Sequence, residues 1–304
     1  NSYFNSLNRN KKSISLNLKE KEGKAILLKL VNNADILVES FRPHVMKRLN
    51  LDYAKLKKIN KKLIYCALTG FGQSSEFKDK PGHDLTYNAL LGSLNLTFGG
   101  KVTFPSIQSS DIFAALYATI GILTAIIECK RSGKGSFVDL SIFDSLFAGI
   151  PFQTADILSG IDPSTGVLQG GYACYNLYET KDNKYLALGA IEKKFWINFL
   201  KIIKKESFID LQFSIEEQPK MMQELSRIFK SKNRSEWLIK FTNIETCLEK
   251  VNTLQESFNL DHLKSRNMLI QKGLNKYIAS PIKFSQHNIN KFKKPPKLGQ
   301  HTRE

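Results

Sequence analysis

The chain has 304 residues, 42% of them hydrophobic, and 45 lysines and arginines against 28 acidic residues, a formal net charge of +17. That length supports one large or two medium domains with a proper core, and the apolar content is that of an ordinary globular protein. No uninterrupted apolar run reaches the ~18–20 residues of a bilayer span; the best, Ile112–Ile127, carries Tyr117 and threonines and reads as a buried helix.

Residues 1–12 are polar and basic and have no apolar signal-peptide segment. Cys66, Cys129, Cys174 and Cys247 are scattered and form no CxxC pair, so neither a zinc site nor a disulfide framework is expected, and a reduced, cytoplasmic setting fits. From Ser13 to Tyr65 short β-like runs alternate with amphipathic ones: "SISLNL" as strand, "EKEGKAILLKLVNNA" as helix, "DILVES" as strand, "VMKRLNLDYAKLKKIN" as helix. "LIYCALTGFG" is a strand entering a glycine-rich loop. This alternation predicts an α/β fold with a parallel sheet. A helix over 112–131 ends at "RSGKG", a basic last turn followed by glycine, and "SFVDLSIFDSLFAGIPF" supplies one more strand and helix. Residues 151–172 read as a turn-rich linker. "YNLYETKDNKYLALGAIE" reads as a hairpin around Lys181–Asn183, and mainly helical residues follow it in a second, smaller α/β unit. The expected division is a large domain over 1–150, the linker over 151–172, a small domain over 173–262 and a return segment over 263–304.

The positive charge is spread along the chain among many Asn and Ile, and no RNP, zinc-finger or homeodomain pattern accompanies it. Nucleic acid is therefore disfavoured as a partner against a phosphorylated small molecule. "SGKGS" has the wrong order for a phosphate loop, and "GFGQSS" lacks the third glycine of a dinucleotide fingerprint. Neither GxSxG nor HExxH occurs.

Three segments join charged groups to structural punctuation. In "PGHDLTYNALLG", Asp84 can cap a helix with His83 merely exposed, or His83 can be an acid/base catalyst at the helix mouth. In "PSIQSSDIFAALYATIG", Asp111 is either a plain N-cap or a carboxylate facing the positive helix end, where backbone N–H groups could also hold an oxyanion. In "LGAIEKKFW", Glu192 is either an ordinary first-turn glutamate or a functional one at a strand-to-helix junction.

Together with "NRNKKSISLNLKEKEGKAILLKLVNNADILVESFRP", "LIYCALTGFGQ", "SGKGSFVDLSIFD" and "GGYACYNLYET", these segments resemble, from Asn8 to the closing "PKLGQHT", the α-methylacyl-CoA racemase branch of the family III CoA-transferase (CaiB/BaiF-like) superfamily. The GHDxxY block combined with the GAIExxFW block carries the resemblance to that branch. The resemblance implies a parallel-sheet, Rossmann-like large domain plus a smaller α/β domain in an interlocked homodimer, without nucleic acid or membrane. It implies His83 and Asp111 as the two acid/base catalysts, Glu192 orienting His83 and Tyr175 near Asp111. Contacts to coenzyme A would come from Leu16, Asn17, Leu18 and Lys19, from Ser40, Phe41 and Arg42, from Arg48, and from Gly82, Asp84, Leu85, Thr86 and Tyr87. No metal and no cofactor beyond the CoA part of the substrate is implied. By the same resemblance a strand–helix unit precedes the opening of this chain and the last helix is cut short after Glu304. Ala67 stands where relatives often have Arg or Ser, and His44 where they often have glycine.

The residue types suit inversion of an acyl-CoA α-carbon, which needs a base on one face, an acid on the other and stabilisation of an enolate between them. A CoA-transferase is the alternative, with Asp111 as the nucleophile that forms a mixed anhydride. A basic, non-catalytic binding protein is the third.

Overall fold

The computed structural model describes residues 2–273, 275–287, 289 and 292–304. Two compact units emerge, Asn1–Leu30 with Asn252–Glu304, and Val31–Val251. Within the first of these units the C-terminal tail hydrogen-bonds to Ser13 and Ser15.

In the first unit a short helix α1 (Ser2–Leu7) precedes α2 (Lys21–Asn32). The expected strand "SISLNL" between them is not a strand: residues 13–17 take no regular structure and Leu18 enters a turn. Period-2 alternation makes a segment fit for a sheet, yet a strand exists only where a neighbour completes its ladder. Here the tail supplies part of that pairing instead.

The second unit begins with a parallel sheet in the order β1 (Ile36–Glu39), β2 (Ile64–Thr69) and β3 (Phe137–Ser141), with Leu37 beside Tyr65 and Cys66 beside Val138. β2 is central and buried at nearly every position, as its unbroken apolar run demands. The expected single helix after β1 is two short ones, α3 (Val45–Arg48) and α4 (Tyr53–Ile59), with buried Leu51 between them. His44 begins α3 at φ 68°, the left-handed region where glycine is the ordinary occupant.

After β2 come α5 (Asp84–Leu91) and the 24-residue α6 (Ser109–Ser132). α6 ends as its sequence indicates, with Lys130 and Arg131 in the last turn and Gly133 at φ 71°. Its burial differs from the expectation. Ser110, Ala114, Ala118 and Ala125 are its buried side chains, whereas Ile112, Leu116, Ile120, Leu123 and Ile127 form a stripe 44–62% exposed. Small residues let α6 lie close on the sheet and turn the bulky ones away. By length and composition α6 is also sufficient to cross a membrane, contrary to the sequence reading, although core helices of soluble proteins pass the same test.

α7 (Ile142–Ala148) and α8 (Pro151–Leu158) follow β3, so the expected linker opens with a helix. An antiparallel sheet then orders β4 (Tyr175–Glu179), β5 (Tyr185–Gly189) and β6 (Leu248–Lys250). The turn between β4 and β5 places Asn183 at φ 55°. Helices α9 (Lys193–Ile203), α10 (Gln218–Phe229) and α11 (Arg234–Lys240) cover this sheet with a buried aromatic cluster. Phe199 stacks on Trp196, Phe229 and Phe241 at centroid distances of 5.6, 5.9 and 5.6 Å. The indole N–H groups of Trp196 and Trp237 donate to the carbonyls of Phe208 and Phe229, so the rings are buried without orphaned donors. The first unit resumes with α12 (Leu254–Ser257), α13 (Asp261–Ser265) and a hairpin of β7 (Leu269–Lys272) and β8 (Asn275–Ile278).

Candidate active site

β2 stops at Thr69, and its carboxyl end leads directly into the candidate site, where open parallel sheets ordinarily bind ligands. Gly70 and Gly82 make this possible by lacking side chains. A Cβ on Gly70 would lie 2.5 Å from the Tyr87 hydroxyl, and one on Gly82 would lie 2.5–2.7 Å from the ring and hydroxyl of the same tyrosine. Tyr87 is buried and meets Phe71 edge-on at 5.3 Å, so the turn carrying Gly82 is pressed against a fixed ring.

His83 is the N-cap of α5, at φ −136° and ψ 166°. The Thr86 hydroxyl accepts from the His83 backbone N–H at 2.9 Å and donates to the His83 carbonyl at 2.8 Å, fixing the backbone that bears the exposed imidazole. Asp84 is therefore not the cap considered from sequence. It is the first helical residue, and it is buried. Its Oδ1 accepts from Ser110 N at 2.8 Å and from Ser110 Oγ at 2.6 Å. Asn88 adds a second tie: its Oδ1 accepts from Ser109 Oγ at 3.0 Å, and its Nδ2 donates to the Asp84 carbonyl. The N-termini of α5 and α6 are thereby locked together. One consequence is that the Ser110 N–H, among the amides considered as oxyanion donors, is already engaged.

Asp111 sits in the first turn of α6, with Gln108 rather than Asp111 as N-cap. Partial burial, and then the Asp84 charge, raise its pKa above the ordinary aspartate value, while the neighbouring His83 pulls it down. Tyr87 is raised too, by burial and by Asp111. His83, Asp84, Tyr87 and Asp111 thus form one electrostatically coupled cluster. A carboxyl whose ionisation is opposed in this way is suited to carrying a proton, and an imidazole beside it can take or give one.

Glu192 and Tyr175 lie elsewhere in the same unit. Glu192 is the N-cap of α9 rather than a first-turn residue. Burial raises the pKa of the Cys247 thiol, and the charges of Glu192 and Glu245 raise it further. Tyr175 opens β4 opposite Gly189, whose N–H donates to the Cys247 carbonyl at 2.9 Å. Tyr175, Gly189 and Cys247 border a largely apolar cavity of about 760 Å³ that also meets Leu96, Thr97 and Lys101. Among the described residues no hydrogen bond or ion pair joins Glu192 or Tyr175 to His83 or Asp111.

Of the expected CoA contacts, Leu16–Lys19 belong to the first unit and the others to the second. Asn17 Oδ1 accepts from Lys19 N, and a Cβ on Gly23 would stand 2.1 Å from the Asn17 carbonyl, so this segment is pinned on the start of α2. After β1, the Glu39 carboxylate accepts from Phe41 N at 2.7 Å and shapes the Ser40–Arg42 turn. Arg42 borders a cavity of about 290 Å³ with Glu39, Tyr65 and Gln73. Arg42 and Arg48 are exposed, and among the described residues neither has a carboxylate at ion-pair distance, which leaves both guanidinium groups available to phosphate. Leu85 and Thr86 are exposed on α5, whereas Gly82 is half-buried and Tyr87 buried.

Sequence reasoning did not identify Asn88, Ser109, Ser110 or Cys247. A polar residue one turn after Asp84 in an otherwise apolar helix, and paired serines before Asp111, are the available signals for the first three.

The sequence model of CoA-transferase family III matches residues 1–302. The chain belongs to this family. Its curated relatives include α-methylacyl-CoA racemase of Mus musculus, 32% identical over 99% of this chain and 81% of the relative, and that of Homo sapiens, 31% identical over 98% and 80%. The succinyl-CoA:glutarate CoA-transferase of Mus musculus is 27% identical over 99% of this chain and 72% of its own length. A solved CaiB/BaiF family protein from Brucella suis aligns with a TM-score of 0.82 at 26% identity, over 99% of this chain and 82% of the other. A Mycobacterium tuberculosis structure aligns at 0.86 with 22% identity, over 99% and 84%, a likeness of fold. The family III CoA-transferase homologues thus comprise racemases and transferases, and the chain is an enzyme of this superfamily with an α/β fold and a parallel sheet.

Proposed function

We propose that this enzyme inverts the α-carbon of 2-methylacyl-CoA thioesters, with His83 and Asp111 as the two proton carriers. The observation that supports this most is the pairing of a histidine and a carboxyl with raised pKa at two helix N-termini locked together by Asp84 and Ser110. One of the pair removes the C2 proton, leaving its electron pair delocalised as an enolate on the thioester oxygen. The other delivers a proton to the opposite face of C2. A carboxyl whose ionisation is opposed by burial and by Asp84 fits the donor role, and exchange of roles runs the reaction in reverse. Arg42 and Arg48 hold the CoA phosphates, and the reaction needs no metal and no cofactor besides the CoA of the substrate.

Glu192 and Tyr175 complete the site from a second copy. The exposed apolar stripe of α6 supports a dimer, since a continuous row of five large aliphatic side chains marks a surface that is covered in the assembly.

The second reading, CoA transfer, is favoured by the transferases among the relatives that align over nearly the whole chain. In it the Asp111 carboxylate attacks the thioester carbonyl, the CoA thiolate leaves, and an acyl-aspartyl anhydride results. Hydroxylamine distinguishes the two. After incubation with acyl-CoA and hydroxylamine, the racemase reading expects an unmodified Asp111 peptide by mass spectrometry, and a hydroxamate at Asp111 would reverse the order of the two readings.

A further inference from the structure

The closing "LGQHT" carries no role in the chemistry above, yet it makes a dense set of contacts with the opening of the chain. Gly299 turns at φ 63°, and its N–H donates to Ser13 Oγ at 3.0 Å. Thr302 Oγ1 donates to the Gly299 carbonyl at 2.8 Å and accepts from Ser15 N at 3.0 Å. His301 is bonded twice to one residue: its N–H donates to the Ser13 carbonyl at 2.8 Å, and its Nδ1 accepts from Ser13 N at 3.0 Å. An ion pair of Lys12 with Glu304 at 2.8 Å flanks these bonds. Upstream, Asn10 and Lys293 exchange two hydrogen bonds, of 3.3 and 2.7 Å.

The segment so held, Ser13–Ser15, belongs to no helix or strand, and it leads immediately into Leu16–Lys19. A stretch outside any helix or strand ladder has little to fix its backbone, so these side-chain and backbone bonds are its main restraint from the tail. We propose that His301 and Thr302 are positioning residues that clasp Ser13–Ser15 and thereby hold Leu16–Lys19 in the conformation that binds the CoA moiety. The inference deepens the acyl-CoA reading and rests on it for the ligand. A side chain at position 301 must therefore offer an acceptor at the place of Nδ1 for the Ser13 N–H.

The test uses the full chain and three forms: wild type, His301→Ala and His301→Asn. Asn offers an acceptor oxygen at the place of Nδ1. Hydrogen exchange of residues 13–19 and calorimetric binding of a 2-methylacyl-CoA are measured at neutral pH. The expected result for His301→Ala is faster exchange confined to 13–19 and a dissociation constant raised on the order of tenfold, the scale of one lost hydrogen bond. His301→Asn restores both. Unchanged exchange in His301→Ala overturns the clasp, and faster exchange with unchanged affinity overturns the positioning role. A wild type without affinity for CoA thioesters fails the acyl-CoA reading and the ligand half of this inference, while exchange alone still decides the clasp.

Discussion

Replacing Gly82 with alanine tests whether close packing under the turn fixes the catalytic histidine. The new Cβ would stand 2.5 Å from Tyr87 Cε1 and 2.6 Å from Cζ. Carbon atoms in ordinary contact sit at ~3.5 Å or more, so about 1 Å of overlap must be relieved. Tyr87 cannot easily give way. It is 4% exposed and abuts Phe71, which is itself held by Phe77 and Phe143 at 5.5 and 5.6 Å. The Pro81–His83 turn moves instead, taking the imidazole with it. Displacement of about 1 Å at a reacting group costs on the order of 100-fold in rate, and overpacking costs about 1–3 kcal/mol of stability. At roughly 2–4 °C per kcal/mol for a unit of this size, the Tm of Gly82→Ala falls by ~2–12 °C. The assays are α-proton exchange with a 2-methylacyl-CoA and thermal denaturation. Tyr87→Leu removes the obstructing ring, so the double variant should lose far less relative to Tyr87→Leu than Gly82→Ala loses relative to wild type. A Gly82→Ala enzyme with the wild-type rate and Tm, or strictly additive effects in the double variant, would refute the reasoning.

Two further outcomes follow from the same geometry. Asp84→Asn removes a negative neighbour that raises the Asp111 pKa, so Asp111 ionises more readily and the limb of the pH–rate profile that it governs moves to lower pH; an upward shift would contradict the assigned coupling. Ile120→Lys places a charge in the middle of the exposed α6 stripe, and sedimentation should show the wild type as a dimer and the variant shifted to monomer with its secondary structure intact; a wild type that is monomeric would remove the dimer from the account.

Much of this architecture could be read in the sequence, and the remainder depends on tertiary contacts. The apolar run Ile64–Thr69 identified the central strand because both faces of a parallel strand are covered. The end of α6 was legible because "KRSG" joins helix-dipole and left-handed-cap chemistry in four residues. The burial of α6 was not legible: hydropathy marks Leu116 and Ala118 alike as apolar, and only the sheet beneath selects alanine as the contact. The strand expected over 13–18 alternates correctly, but pattern cannot supply a partner. At the site, His83 and Asp111 stood out as charged groups at helix starts. The Asp84–Ser110 tie did not, because it joins residues 26 positions apart through a side chain that equally well caps its own helix. His44 at positive φ had no signature within "FRPHVMK" itself; the glycine that relatives often carry at this position was the available signal.

The central claim is that His83 and Asp111 move protons on and off one carbon. The most direct test starts from a single epimer of a 2-methylacyl-CoA in deuterated water and follows C2 deuterium and configuration by NMR and mass spectrometry, for wild type, His83→Ala and Asp111→Asn. The account predicts that wild type incorporates deuterium and forms both epimers, and that each variant loses epimerisation because one face has lost its proton carrier. Epimerisation without exchange, or a largely active His83→Ala enzyme, would contradict it.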